Sequence, residues 1–348
     1  MSRCTLCTFS FFTESLSQPV RAVLIGISVV FALLLGSEPG LGQGIGESRT
    51  LPAEFRAHRI YVHPVTERGD TLELYTDTGG GRLPLIAESA VETYDLSIAD
   101  TVQRAGRELP VVSFPEFSSE TSIPSGPTGR FFVYPFGRRA KMTGLQDGLL
   151  GSGWFDGRVW TFDYGKDALI LRGDPDEIDW SPPHTVSLGF KPDSTGERAN
   201  SFVSAEARIG GTTYAFLFDT GATAVLTEKG RERLGGPTRQ ATSFVTTSLL
   251  ERWTSEHPDW SVIEGASQFP TSPRMIRVPE LTIAGHSVGP VWFEERPDRA
   301  FHGAMSDRLG HRVEGALGGS LFKYFRITVD YPRGRALFEG VDRDPAGS

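Results

Sequence analysis

Two short stretches of this chain put an aspartate on a glycine turn directly after an apolar run: Leu74-Tyr75-Thr76-Asp77-Thr78-Gly79-Gly80-Gly81 and Phe216-Leu217-Phe218-Asp219-Thr220-Gly221-Ala222-Thr223. One copy alone would pass for an ordinary turn, because Asp and Gly are common turn residues and Asp is a good helix cap. Two copies allow more. A peptide bond resists neutral water, so hydrolysing it without a metal or a covalent nucleophile needs one group to activate water and another to protonate the leaving nitrogen. Two facing carboxylates supply both, since close like charges cannot both ionise easily and one pKa rises while the other stays low. Such a pair titrates as a unit. In this arrangement Asp77 and Asp219 carry the chemistry. Gly79 and Gly221 let backbone amides approach the carboxylates, while Thr78 and Thr220 can hydrogen-bond across to the opposite copy.

The surroundings repeat as well, as one unit used twice about a pseudo-two-fold axis requires. Counting back from each aspartate, Arg59 to Thr76 aligns with Ser201 to Phe218, with Gly69 opposite Gly211, and both stretches read as a hairpin feeding the turn. Further on, Pro115-Glu116-Phe117 matches Pro279-Glu280-Leu281. The longest repeat sets Gly148 to Leu171 against Gly315 to Phe338 without a gap, at an offset of 167. It contains Leu149-Leu150-Gly151 and Ala316-Leu317-Gly318, and later Asp163-Tyr164 and Asp330-Tyr331. Leu85 to Leu96 and Leu226 to Leu234 match as short helices after each turn. From Asp77 to Pro115 is 38 positions and from Asp219 to Pro279 is 60, so the second half carries about 22 more, expected as an insertion near 236–277. Within it Ser248 to Trp253 suits a helix, with Trp253 and Trp260 packing on their own lobe.

These motifs need a scaffold of short strands. The 348 residues include 40 Gly and 23 Pro, and β-branched runs such as Thr71 to Thr76 and Arg326 to Asp330 indicate a mostly β, bilobal chain. The first lobe is expected over 54–176, a linker over 177–183 and the second lobe over 184–342, with Ser118 to Gly129 as a candidate flap. Residues 22–35 are apolar and uncharged, Arg21 precedes them and Gly40-Leu41-Gly42 follows. Residues 1–42 therefore read as a secretory signal, with an uncleaved membrane anchor as the alternative, and 43–53 as a flexible lead. The two cysteines, Cys4 and Cys7, precede that run, so cleavage would leave no disulfide, which suits a periplasmic or secreted bacterial protein. The net charge of −8 gives no reason to expect nucleic acid. No GxSxG, HExxH or GxxxxGK[ST] pattern occurs, and the seven histidines are scattered, His302 and His311 reading as surface or core residues. No metal and no cofactor is expected.

At both aspartate turns, and at Leu149-Leu150-Gly151 and Ala316-Leu317-Gly318, the chain resembles the aspartic peptidases, whose hallmark is apolar-apolar-Asp-Thr-Gly followed later by apolar-apolar-Gly. The resemblance covers about residues 54–342. Two lobes in one chain look like the pepsin arrangement, while Asp219 to Ala222 and Leu321 to Tyr331 look more like the retropepsin-type bacterial proteins. It implies a bilobal β fold with a cleft between the lobes, Asp77 and Asp219 as catalytic dyad, Leu150, Gly151, Leu317 and Gly318 in the lobe cores, a peptide or protein substrate and a monomer. Gly80 and Ala222 stand where pepsin-like enzymes carry Ser or Thr. Losing that hydroxyl donor weakens the ionised form and moves the expected optimum to weakly acidic pH. Tyr134 is the one candidate for a flap tyrosine. The alternative is a binding scaffold on the same fold, with little or no proteolysis.

Overall fold

A computed structural model describes residues 47–104, 106–137, 142–269 and 273–341. The expected signal or anchor segment lies outside the described residues, among which no helix is long and apolar enough to cross a membrane.

The fold is mostly β and is built from two related sheets joined by a third. In the first half, strand Arg59–Val62 pairs antiparallel with Leu74–Asp77, and that strand runs parallel to Gly148–Gly151. Gly148–Gly151 pairs antiparallel with Leu85–Ala87, which lies parallel to Arg130–Tyr134. The second half repeats each step. Ser204–Ile209 pairs with Thr212–Phe218, which runs parallel to Gly315–Leu317, and that strand is antiparallel to Ser243–Thr246, itself parallel to Val291–Arg296. The glycines aligned in sequence sit at the hairpin turns, Gly69 at φ 91° and Gly211 at φ 84°, a region that side chains with a Cβ avoid.

The third sheet is six-stranded and takes half its strands from each repeat, in the order Arg49–Thr50, Ala168–Leu171, Val159–Asp163, Phe325–Asp330, Arg335–Gly340, Thr185–Ser187. At its centre Thr161 lies opposite Thr328, and their hydroxyls meet at 2.8 Å. These two residues are each other's counterparts in the ungapped repeat, so the pseudo-two-fold axis passes between them. Every residue of Val159–Asp163 is buried, which explains a strand with little polar alternation. Its last residue, Asp163, accepts the Lys166 amide at 3.0 Å, as Asp330 accepts that of Arg333 at 3.0 Å, so the repeated Asp-Tyr pair marks two equivalent turns. The core runs through both repeats, with Phe162 near Phe218 and Phe218 stacked on Phe322 at 4.5 Å.

Three expectations change. The counterpart of Leu85–Ala87 and helix Glu88–Thr93 is strand Ser243–Thr246 with helix Thr247–Glu256, not Leu226 to Leu234. The helix Glu228–Leu234, capped by Thr227 and ended by Gly235 at φ 77°, sits with the two-stranded pair Thr223–Val225 and Arg239–Ala241. Most of the extra chain therefore falls over 223–241, ahead of the expected 236–277, and helix Thr247–Glu256 belongs to the shared plan. Trp253 on that helix is buried against Phe293, Tyr214 and Trp260. Finally, Ser118 to Gly129 does not suit a flap, because the Trp154 indole donates to the Pro124 carbonyl at 2.7 Å and Arg158 to that of Ser125 at 2.9 Å.

Replacing Thr161 or Thr328 alone by Val leaves a buried hydroxyl without its partner and is predicted to cost about 1–3 kcal/mol, whereas the double replacement costs clearly less than the sum. Urea unfolding of the four proteins in this cycle checks it.

Candidate active site

Each aspartate is held in place by the strand beside it. Asp77 ends its strand next to Gly151 in the parallel pair, and the Asp219 amide donates to the Leu317 carbonyl at 2.9 Å. Leu150 and Leu317 are fully buried beneath. A methyl group on Gly151 would strike the Gly81 carbonyl, and one on Gly318 would strike that of Thr242, so glycine is required where each strand passes under its turn.

The two turns interlock through their threonines. The Thr220 amide donates to Thr78 Oγ1 at 2.9 Å and the Thr78 amide to Thr220 Oγ1 at 3.2 Å. Thr78 Oγ1 in turn donates to the Phe218 carbonyl at 3.0 Å. Both threonines are buried, so this exchange satisfies polar groups that water cannot reach. It also sets the glycines. A methyl on Gly79 would run into the Asp219 carboxyl, and one on Gly221 into that of Asp77, so each turn packs its glycine on the other turn's aspartate.

The carboxyl groups of Asp77 and Asp219 hydrogen-bond to each other. The Gly221 amide donates to the Asp219 carboxyl at 2.9 Å, and the nearby amides of Gly79 and Gly80 favour the charged form of the pair. Burial pushes the Asp219 carboxyl well above the ordinary carboxylate range, with the Asp77 charge adding to it. Burial also raises Asp77, against the opposing bonds from Asp219, Gly79 and Gly80. Asp219 is buried while Asp77 is half-buried, so the shared proton belongs on Asp219 and the charge on Asp77. All the residues singled out from the two motifs thus come together.

A solved structure of an aspartic proteinase from Irpex lacteus is similar over 86% of this chain and 99% of its own, at 11% identity and a TM-score of 0.46. No protein-family model and no curated protein matches the chain.

Three neighbours of the dyad are not apparent from the motifs. The Tyr75 hydroxyl donates to the Gly221 carbonyl at 2.9 Å and lies 2.8 Å from Thr223 Oγ1, which itself reaches that carbonyl at 3.1 Å. Arg59 Nε donates to Thr223 Oγ1 at 3.1 Å. The sequence signal for Arg59 is a lone cation opening the otherwise uncharged strand Arg59-Ile60-Tyr61-Val62. His302 and His311 lie elsewhere, engaged by Glu314 at 2.7 Å and by Ser204 at 2.8 Å.

A carboxyl whose pKa folding has raised binds its proton more tightly in the folded state, so stability falls as pH climbs from the usual 3.8 through the raised value. Asp219→Asn removes that penalty. Its Tm is predicted to exceed that of the wild type by at least about 3 °C at neutral pH, with the gain vanishing below about pH 3, as calorimetry across pH will read.

Proposed function

We propose that the protein is an aspartic endopeptidase acting on peptides or unfolded protein segments as a single chain. The observation that carries this reading is the mutual packing of Gly79 on Asp219 and Gly221 on Asp77, which supports a carboxyl pair sharing one proton. In the reaction Asp77 takes a proton from a water molecule as that water attacks the peptide carbonyl. Asp219 donates its proton to the carbonyl oxygen, and the proton held by Asp77 then passes to the leaving nitrogen as the C–N bond breaks and a hydroxyl of the gem-diol returns its proton to Asp219. Gly80 and Ala222 in place of hydroxyl residues favour the retropepsin type within this class. An exported location, by a cleaved signal or an anchor over 22–35, completes the proposal.

One observation favours a second reading, a binding scaffold. The Gly221 carbonyl beside Asp77, a natural acceptor for a peptide amide, is already taken by the hydroxyls of Tyr75 and Thr223.

Incubating residues 43–348 with a mixed peptide library across pH 3 to 7 separates the two. The peptidase reading predicts cleavage with an optimum between about pH 4 and 6. The rate falls at higher pH as the shared proton is lost and at lower pH as both carboxyls fill. Asp77→Asn and Asp219→Asn should each lower kcat by roughly 10²–10⁴-fold. A folded wild type that cleaves nothing at any pH would turn the assignment to the scaffold.

A further inference from the structure

A short chain of hydrogen bonds ties a second functional group to the Gly221 turn, whose glycine packs on Asp77. Arg59 Nε donates to Thr223 Oγ1, and both that hydroxyl and the Tyr75 hydroxyl reach the Gly221 carbonyl. The Arg59 side chain is buried, at 3% exposure, and lies over the rings of Tyr61 and Tyr75 at 5.1 and 4.8 Å. Nε is used by Thr223 and one Nη by the Thr143 carbonyl, while the other Nη makes no hydrogen bond among the described residues. Arg59 forms no ion pair there either.

This guanidinium lines a cavity of about 510 Å³ whose walls include Arg56, Tyr61, Glu73, Gly144, Gln146 and Arg239. Glu73, the acid of that wall, is held by Arg56 at 2.6 Å. Arg239 commits its Nε to the Met142 carbonyl at 2.6 Å and likewise has no acid partner among the described residues. In a chain of net charge −8, a cavity whose one carboxylate is already paired with Arg56, and whose Arg59 and Arg239 have no acid partner among the described residues, is an anion site on its Arg59 and Arg239 side. A buried cation is costly unless paired, and faces of tyrosine offset only part of that cost. The planar fork of a guanidinium matches a carboxylate best, and an extended peptide advances about 3.3–3.6 Å per residue, so a carboxylate one to three residues from the reacting bond can reach it.

We infer that this cavity is a carboxylate-binding subsite built on Arg59 and Arg239, which selects peptides carrying a carboxylate within three residues of the cleaved bond. The inference rests on the peptidase reading for its register, but not for the binding itself. The carboxylate can come from a Glu or Asp side chain or from the peptide's own C-terminus.

The probes are blocked octapeptides with a central apolar pair, identical except for Glu or Gln at one of the three positions on either side, plus shorter peptides ending there as free acid or amide. At about pH 5.5 the wild type should show a kcat/KM at least roughly tenfold higher for one Glu peptide than for its Gln twin, or for one free acid than for its amide, which distinguishes the two sources. Arg59→Gln should bring that ratio close to one. Should that variant not fold, the more exposed Arg239→Gln must lower the ratio at least about threefold. Ratios near one at every position, or a preference that survives the folded variants, overturn the subsite. Calorimetric titration of Asp219→Asn with the same peptide pairs reads binding without catalysis. Preference there, with no cleavage by the wild type, would keep the subsite and remove the peptidase reading.

Discussion

Two carboxyl groups buried against each other cannot both carry charge, and most of the local structure around Asp77 and Asp219 follows from accommodating that fact. The strands deliver them from opposite halves, and the glycine amides support whichever oxygen is charged. The threonine exchange between Thr78 and Thr220 keeps the turns from drifting apart. Repulsion that would separate two free carboxylates is answered here by one proton and by hydrogen bonds that water cannot contest. The proton is therefore a structural component, and acidity and stability are linked through it.

Holding two halves to that tolerance calls for a rigid junction. The six-stranded sheet provides it, with Thr161 and Thr328 at its centre and the Phe162, Phe218 and Phe322 rings packed together beside it. A further tie comes from the first half's hairpin turn at Ala57 and His58, where the Ala57 carbonyl accepts the Ala241 amide at 3.0 Å. That tie is one-sided: it uses residues of the extra segment over 223–241, which the first half lacks. Asymmetry of the same kind reaches the site, where Tyr75, Arg59 and Thr223 crowd the Gly221 side of the dyad. A symmetric frame thus carries an asymmetric pocket.

Much of this is legible in the order of the residues alone. The aspartate turns, the hairpins leading into them and the Gly148 and Gly315 repeats all rest on local residue types, and the sheets use them as their spacing implies. What the sequence concealed was decided by pairing over long range. Glu228–Leu234 follows its turn just as Glu88–Thr93 does and has a good cap, yet equivalence is set by which strand lies beside Gly148–Gly151 or Gly315–Leu317. Ser118 to Gly129 has the composition of a free loop, but the indole of Trp154 and the guanidinium of Arg158 pin its carbonyls. Arg59 is a lone cation in a strand until the fold brings Thr223, from the other half, onto its Nε.

The shared proton can be observed directly. Infrared difference spectra between the wild type and Asp219→Asn, recorded at about pH 5.5 where ordinary carboxyls are ionised, isolate the C=O stretch of a protonated carboxyl. The account predicts such a band in the wild type and its loss in the variant, with the band disappearing as pH rises through the pair's upper titration. A wild-type spectrum showing only carboxylate bands at that pH would contradict it.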